Sequence, residues 1–287
     1  MAAASGLIAA IRLMKSLNLY ILAYHSAGVL IVLFIAAYVV RSAFYVETAP
    51  PCSTRYPAAM QFALLTNDGA PMSPPELQAR VGIPERGVIE NAKIVPVSQG
   101  ASRMALEVKL ANVADVEEDS AEPQNGLDFR WRPPGVSSAK AACLSYNLWL
   151  PENFELGRGG VLPGIFSEAP NSNTVFATRV AWNDLREISV NVEDSGGKTR
   201  DVGRSKRAFT PGRWAAVEQE VVLNSPGKSD GMVRLWIDGE LRAEDTRIAM
   251  RAEKTSKISG VLADVGYTRG SKSVSTIRLS PFELSWR

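Results

Sequence analysis

Between Leu19 and Val40 lie 22 consecutive residues with no Asp, Glu, Lys or Arg, mostly Leu, Ile, Val, Ala, Phe and Tyr. Wound as an α-helix, such a run reaches about 33 Å, enough to cross a hydrocarbon core of about 30 Å. A cleaved signal peptide is the rival reading, but its apolar core spans only about 7 to 15 residues and ends at a small-x-small site. Here the run is longer, and Arg41-Ser42-Ala43-Phe44-Tyr45 after it is a poor cleavage site. The pattern predicts one retained transmembrane helix over 19–40. Arg12, Lys15 and the terminal amine precede it and Arg41 alone follows, a bias that places residues 1–18 in the cytoplasm and the remainder outside.

The same segment corrects the charge balance. The 32 basic residues exceed the 30 acidic ones only through Arg12, Lys15 and Arg41, so the chain from Ser42 onward is close to neutral. That argues against nucleic acid as a partner, which calls for a strongly basic domain. His25, inside the apolar run, is the only histidine. The outer part therefore has no Ser-His-Asp triad, no Cys-His pair and no His-ligated zinc, and no metal or cofactor is expected. Cys52 and Cys143 are the only cysteines. An oxidising compartment would permit a disulfide between them, and two separate buried thiols are the alternative. The Ala- and Arg-rich composition points to a bacterial inner membrane with the C-terminal domain in the periplasm.

Residues 41–85 are rich in Pro, Ser and Ala and read as a linker with one apolar stretch, Met60 to Leu65. Beyond it the hydrophobic period becomes two. Met104 to Leu110 alternates Met104, Leu106, Val108 and Leu110 with Ala105, Glu107 and Lys109, as a half-buried strand does. Similar runs are Leu127 to Trp131, Cys143 to Leu150, Val175 to Trp182, Glu187 to Val192, Trp214 to Leu223, Met232 to Ile237 and Thr276 to Trp286. Asp238-Gly239 between apolar runs marks a hairpin, because a type I′ turn needs positive φ at both central residues. Many short strands and few helical patterns predict an all-β two-sheet sandwich over 86–287. All six Trp residues fall in or beside the runs. At least four are expected in the core, leaving one or two to stack on sugar rings from a concave sheet.

Two stretches resemble the polysaccharide lyases of family 14, the alginate and glucuronan lyase group. Tyr146 to Phe166 is similar to the family's strand leading into Gly-Gly-Lys-Leu-Pro-Gly. Trp214 to Gly239, with Leu223-Asn224-Ser225-Pro226-Gly227, Asp230-Gly231 and Leu235-Trp236-Ile237-Asp238-Gly239, is similar to its second half. The resemblance implies a concanavalin-like β-jelly roll and a β-elimination site. Such chemistry needs a cation on the uronate carboxylate, a general base and a general acid. In the family these look to be the motif Lys, a Ser-x-Arg and a Tyr-x-Tyr. The corresponding positions here are Val161, Ala177 with Arg179, and Ser189 with Asn191, so only the Arg persists.

Arg179 can hold a carboxylate but cannot move a proton near neutral pH, and pairing with an acid across the sheet is its equally open alternative. Tyr146 and Tyr267 are the remaining candidate bases. A cationic stretch, Lys198, Arg200, Arg204, Lys206 and Arg207, is a candidate surface for an acidic glycan or lipid headgroups, against the simpler reading of a solvated hairpin tip. Val113 to Glu122 carries five acids without a calcium-loop pattern and reads as a solvated turn. The expected function is a membrane-anchored domain that binds or scaffolds an acidic envelope polysaccharide, or its synthesis machinery, without catalysis. An active uronic-acid lyase and a protein-interaction subunit of a membrane complex are the alternatives.

Overall fold

The computed structural model describes residues 24–38, 50–83, 85–98, 100, 102–111, 125–169, 173–194, 196–206, 209–268 and 274–287, the side chains of 204–206 excepted. Two units are distinct, Met1–Ala49 and Pro50–Arg287. In the first, α1 covers 24–38 and all its residues are exposed. Among the described residues no helix is long and apolar enough to cross a membrane, and both ends of the expected 19–40 span lie outside them.

The second unit is a two-sheet β-sandwich of jelly-roll type. One sheet runs in the order β13 (Glu240–Ile248), β12 (Gly231–Ile237), β11 (Trp214–Val222), β5 (Ala141–Trp149), β15 (Ser275–Leu279), β3 (Met104–Leu110), β2 (Ala92–Pro96). On it, β16 (Glu283–Trp286) pairs with β5 and with β1 (Ala58–Gln61). The opposite sheet runs β10 (Thr199–Lys206), β9 (Glu187–Glu193), β8 (Thr174–Asn183), β6 (Gly159–Leu162), β14 (Gly260–Tyr267), β4 (Leu127–Trp131), with β7 (Gly164–Glu168) against β14 and β8. Helix α2 (Pro74–Val81) and the single turn α3 (Val88–Asn91) complete the unit.

Period-two patterning builds the core. In β9, Ile188, Val190 and Val192 are buried while Glu187, Ser189, Asn191 and Glu193 face out. From the other sheet Leu144, Tyr146 and Leu148 on β5, with Val217 and Val221 on β11, point inward to meet them. The Asp-Gly signal is realised, with Asp238 at φ 52 and Gly239 at φ 78 between β12 and β13. The expected Thr276 to Trp286 strand is broken into β15 and β16 around Pro281, which has no N–H for a ladder. Trp182 and Trp236 are buried, and Trp131 and Trp286 pack against the core. Trp149 lies under the Arg278 guanidinium at 4.7 Å and sits opposite Trp214 across the ladder, so neither is a bare platform.

The linker expectation for 41–85 does not hold from Pro50 onward. Phe62, Leu64, Met72, Leu77 and Val81 are part of the core, and β1 pairs along its length with β16. Pro and Ser here serve as caps: Ser73 and Glu76 form a capping box ahead of Pro74, the first residue of α2. Cys52 and Cys143 form the disulfide, with Cα atoms 5.7 Å apart. It fastens this entry segment to β5. Beside it, Tyr56 and Arg55 both bond the buried Glu220 of β11, at 2.5 and 2.9 Å.

Candidate functional site

The outward face of the β10-β9-β8-β6-β14-β4 sheet forms an open groove of about 1020 Å³. Its floor is set by strand register. Asp201 on β10 lies opposite Asn191 on β9, and Asn191 lies opposite Arg179 on β8. Arg179 Nε donates to Asp264 on β14 at 2.5 Å, Asp264 faces Asp128 on β4, and Asp128 takes a hydrogen bond from Arg86 at 3.1 Å. A line of polar side chains thus crosses the sheet from Asp201 to Arg86. A second line runs from Ser189 through Ala181 to Val161 on β6.

Arg179 is held on two sides, by Asp264 and by Glu193, the latter at 3.2 Å. Burial opposes its charge, but the two carboxylates outweigh that and hold its pKa above the ordinary value. Burial pushes the Asp264 carboxyl above its usual range; Arg179 pulls it back, and Asp128 across the ladder adds to the rise. Of the two readings of Arg179, pairing across the sheet is realised, and it also lines the groove. Asn191 lines it as well and donates to Asp201 at 3.2 Å.

Neither tyrosine is placed to take a proton from a ligand in the groove. Tyr146 is inside the sandwich, packed edge-on against Phe282, with its hydroxyl on the Pro163 carbonyl at 3.4 Å. Burial drives its phenol far above the ordinary range, so it stays protonated. Tyr267 borders the groove, but its hydroxyl donates to the Glu155 carbonyl at 2.6 Å and its ring stacks on Phe154. Trp182 reaches the groove only from beneath: a Cβ on Gly160 of β6 would lie 2.1 Å from its ring, so glycine there lets the strand pass over the indole.

The cationic stretch does not gather as a tip. Residues 199–206 are strand β10, whose alternation sends Thr199 and Asp201 to the groove. Arg200 instead pairs with Asp245 of β13, on the other sheet. Lys198 is exposed at the β9–β10 turn and is not among the lining residues. Lys206 stands in register with Glu187; its side chain and that of Arg204, and all of Arg207, lie outside the described residues, as do residues 113–122.

Val161, Arg179, Ser189 and Asn191, four of the five positions matched to the lyase motif, meet in this groove. Ala177 does not. It is buried with Phe166 and Leu262, where β7 pairs with β8 and the guanidiniums of Arg130 and Arg132 cover Phe166. Among the groove residues that sequence reasoning missed are five acids: Asp128, Asp264, Glu187, Glu193 and Asp201. Asp264 had one signal, a lone carboxylate inside an apolar run, Val261 to Val265.

The sequence profile of polysaccharide lyase 14 matches residues 98–276. Comparison with curated proteins finds no sequence match. Among solved structures, the marine PL-14 alginate lyase from Aplysia kurodai is similar with TM-score 0.64 at 17% identity, over 79% of this chain and 98% of that one. Alginate lyase vAL-1 from a Chlorella virus gives 0.59 at 15%, over 71% and 91%. The endo-β-1,4-glucuronan lyase from the fungus Trichoderma reesei gives 0.51 at 9%, over 68% and 87%. At these identities the structural likeness concerns the fold.

Proposed function

The chain belongs to the polysaccharide lyase 14 family, and from that premise we propose that its groove binds a polysaccharide without cleaving it by elimination. One observation carries the reading. The positions that match the family's Lys, Arg and Tyr pair converge on the groove, and the only ionisable group among them is Arg179, already clamped by Asp264 and Glu193. Elimination needs a group that removes the proton α to the carboxylate, with a free cation beside it. Val161, Ser189 and Asn191 supply neither. Ser189 and Asn191 do supply, with Asn125, Asn183, Thr199 and Thr268, the hydrogen-bonding side chains that sugar hydroxyls need. That polar lining also favours a glycan over an apolar protein partner.

We further read residues 19–40 as the membrane tether that holds the domain outside the cytoplasm, a reading supported by the uninterrupted apolar run alone. Incubating the full chain in detergent with alginate and with glucuronan, while following the ultraviolet absorbance of unsaturated product, tests the absence of elimination. No product is expected. Steady product formation would overturn the reading in favour of an active lyase.

A further inference from the structure

We propose that a carboxylate subsite, formed by Arg132 with Arg130, lies beside the groove and takes an acidic substituent standing off the bound sugar chain; this rests on the groove-binding reading above. Strand alternation puts the two arginines on the groove's own face. Along β4, Arg130 stands two residues, about 7 Å, beyond Asp128. Across the ladder it sits opposite Leu262, two residues before the groove residue Asp264 on β14. Leu262, Ala177 and Phe166 form a small apolar cluster there, and the guanidiniums of Arg130 and Arg132 each lie 5.5 Å from the centre of the Phe166 ring.

The two arginines share one acid. Glu168 Oε1 accepts from Arg130 Nη1 at 2.5 Å and from Arg132 Nη2 at 2.9 Å, and Glu168 Oε2 accepts from Arg132 Nε at 3.0 Å. Arg130 Nη2 also donates to the Thr174 hydroxyl at 3.2 Å. Among the described residues Glu168 is the only carboxylate paired with either arginine, which leaves one positive charge over. Arg132 spends two of its five donors on Glu168 and its side chain is 41% exposed. The other three, two on Nη1 and one on Nη2, form the end-on fork that a planar carboxylate accepts bidentately. Phe166 beneath and Glu168 beside it fix the plane of the guanidinium in advance, so little side-chain freedom is lost on binding. The neighbouring stretch 170–172 is Pro, Asn and Ser, without charge. The acids of 113–122 belong to a stretch that joins the sandwich at Asn125, which bonds the Tyr267 backbone. Arg132 instead lies beside Gly260, at the opposite end of β14, about 23 Å along the strand. Offset in this way from the groove floor, the subsite suits a carboxylate on a lateral substituent rather than one on the sugar rings lying in the groove.

The test is calorimetric titration of the full chain in detergent, in neutral low-salt buffer, with four oligosaccharides of equal length. These are a β-1,4-glucan oligomer, its carboxymethylated and sulfated derivatives, and an oligomannuronate, whose carboxylates sit on the rings of the chain itself. The carboxymethylated oligomer is expected to bind on the order of tenfold tighter than the unsubstituted one, by an advantage that shrinks with added salt. Arg132→Gln is expected to abolish that advantage while leaving the unsubstituted oligomer and the oligomannuronate unchanged. Equal binding of the carboxymethylated and unsubstituted oligomers, or an advantage that survives in Arg132→Gln, would overturn the subsite. A larger gain from sulfate would overturn the carboxylate assignment, and weakened oligomannuronate binding by the variant would overturn the lateral placement; all of these leave the groove reading standing. Binding of none of the four, by a chain whose near-ultraviolet circular dichroism shows it folded, would overturn the groove reading itself.

Discussion

Arg179 does its work by being surrounded. Its guanidinium pairs with both Asp264 and Glu193, and its side chain keeps only 21% of its surface exposed. Because burial raises the Asp264 pKa, ionising that carboxyl above its ordinary value of about 3.9 costs the native state stability, and the cost grows as pH rises through the folded-state value. Arg179 limits that cost. Arg179→Met therefore leaves two carboxylates facing each other and is expected to lose about 3 kcal/mol at neutral pH, the low end for a broken buried pair because of the partial exposure. The deficit should shrink as pH falls and Asp264 takes up its proton. Urea unfolding midpoints of variant and parent, compared from neutral to acid pH, measure it; a deficit that does not change with pH would remove the electrostatic explanation.

At the scale of elements, the entry segment is the part whose order depends most on a few bonds. Residues 50–57 carry no strand, yet Cys52 is fully buried, bonded to Cys143, and Ser53 N–H donates to Glu218 at 2.9 Å. A disulfide closing a sequence separation of 91 is expected to contribute about 2–5 kcal/mol, chiefly by restricting the unfolded chain. Cys52→Ala with Cys143→Ala should lower the unfolding free energy by that amount, and a reductant should do nothing further to the double variant.

The strands that were legible in sequence are those with one face wet. Residues 187–193 alternate cleanly and form β9 with the expected faces, and the Asp238-Gly239 turn announced itself by its φ requirement. Where that condition failed, so did legibility. In β14 nearly every residue is buried on both faces, so Val261 to Gly266 has no period to read. In β10 the charges masked the strand, because Arg200 is satisfied by Asp245 from the other sheet, a partner 45 residues away. The linker-like composition of 50–85 misled for a related reason: its Phe62 and Leu64 contact a core assembled from strands far along the chain.

For the whole molecule, the division into Met1–Ala49 and Pro50–Arg287 makes a definite claim about cooperativity. The sandwich contains its own core, its disulfide and every groove residue, so a fragment of residues 50–287 is expected to unfold in urea at the same midpoint as the full chain in matching detergent, as seen by tryptophan fluorescence. A midpoint well below the parent's would show that the first unit contributes to the stability of the second. The site positions were partly visible at this scale too: the motif correspondence picked out Val161, Arg179, Ser189 and Asn191, which register brings together. The acids opposing them come from β4, β9, β10 and β14, and only the three-dimensional pairing reveals that they share one floor.

The Cys52–Cys143 bond also determines how the domain bears load. Tension applied to the chain at Pro50 reaches Cys52 after two residues and crosses the sulfur bridge directly into β5. That strand is laddered to β11 on one side and to β15 and β16 on the other, so the pull is spread over an interior strand and its neighbours. Residues 53–142, including the short β1 at a sheet margin, are bypassed and need not peel away first. A pull on the N-terminal end of the sandwich is therefore carried by an interior strand laddered on both sides rather than by the entry segment.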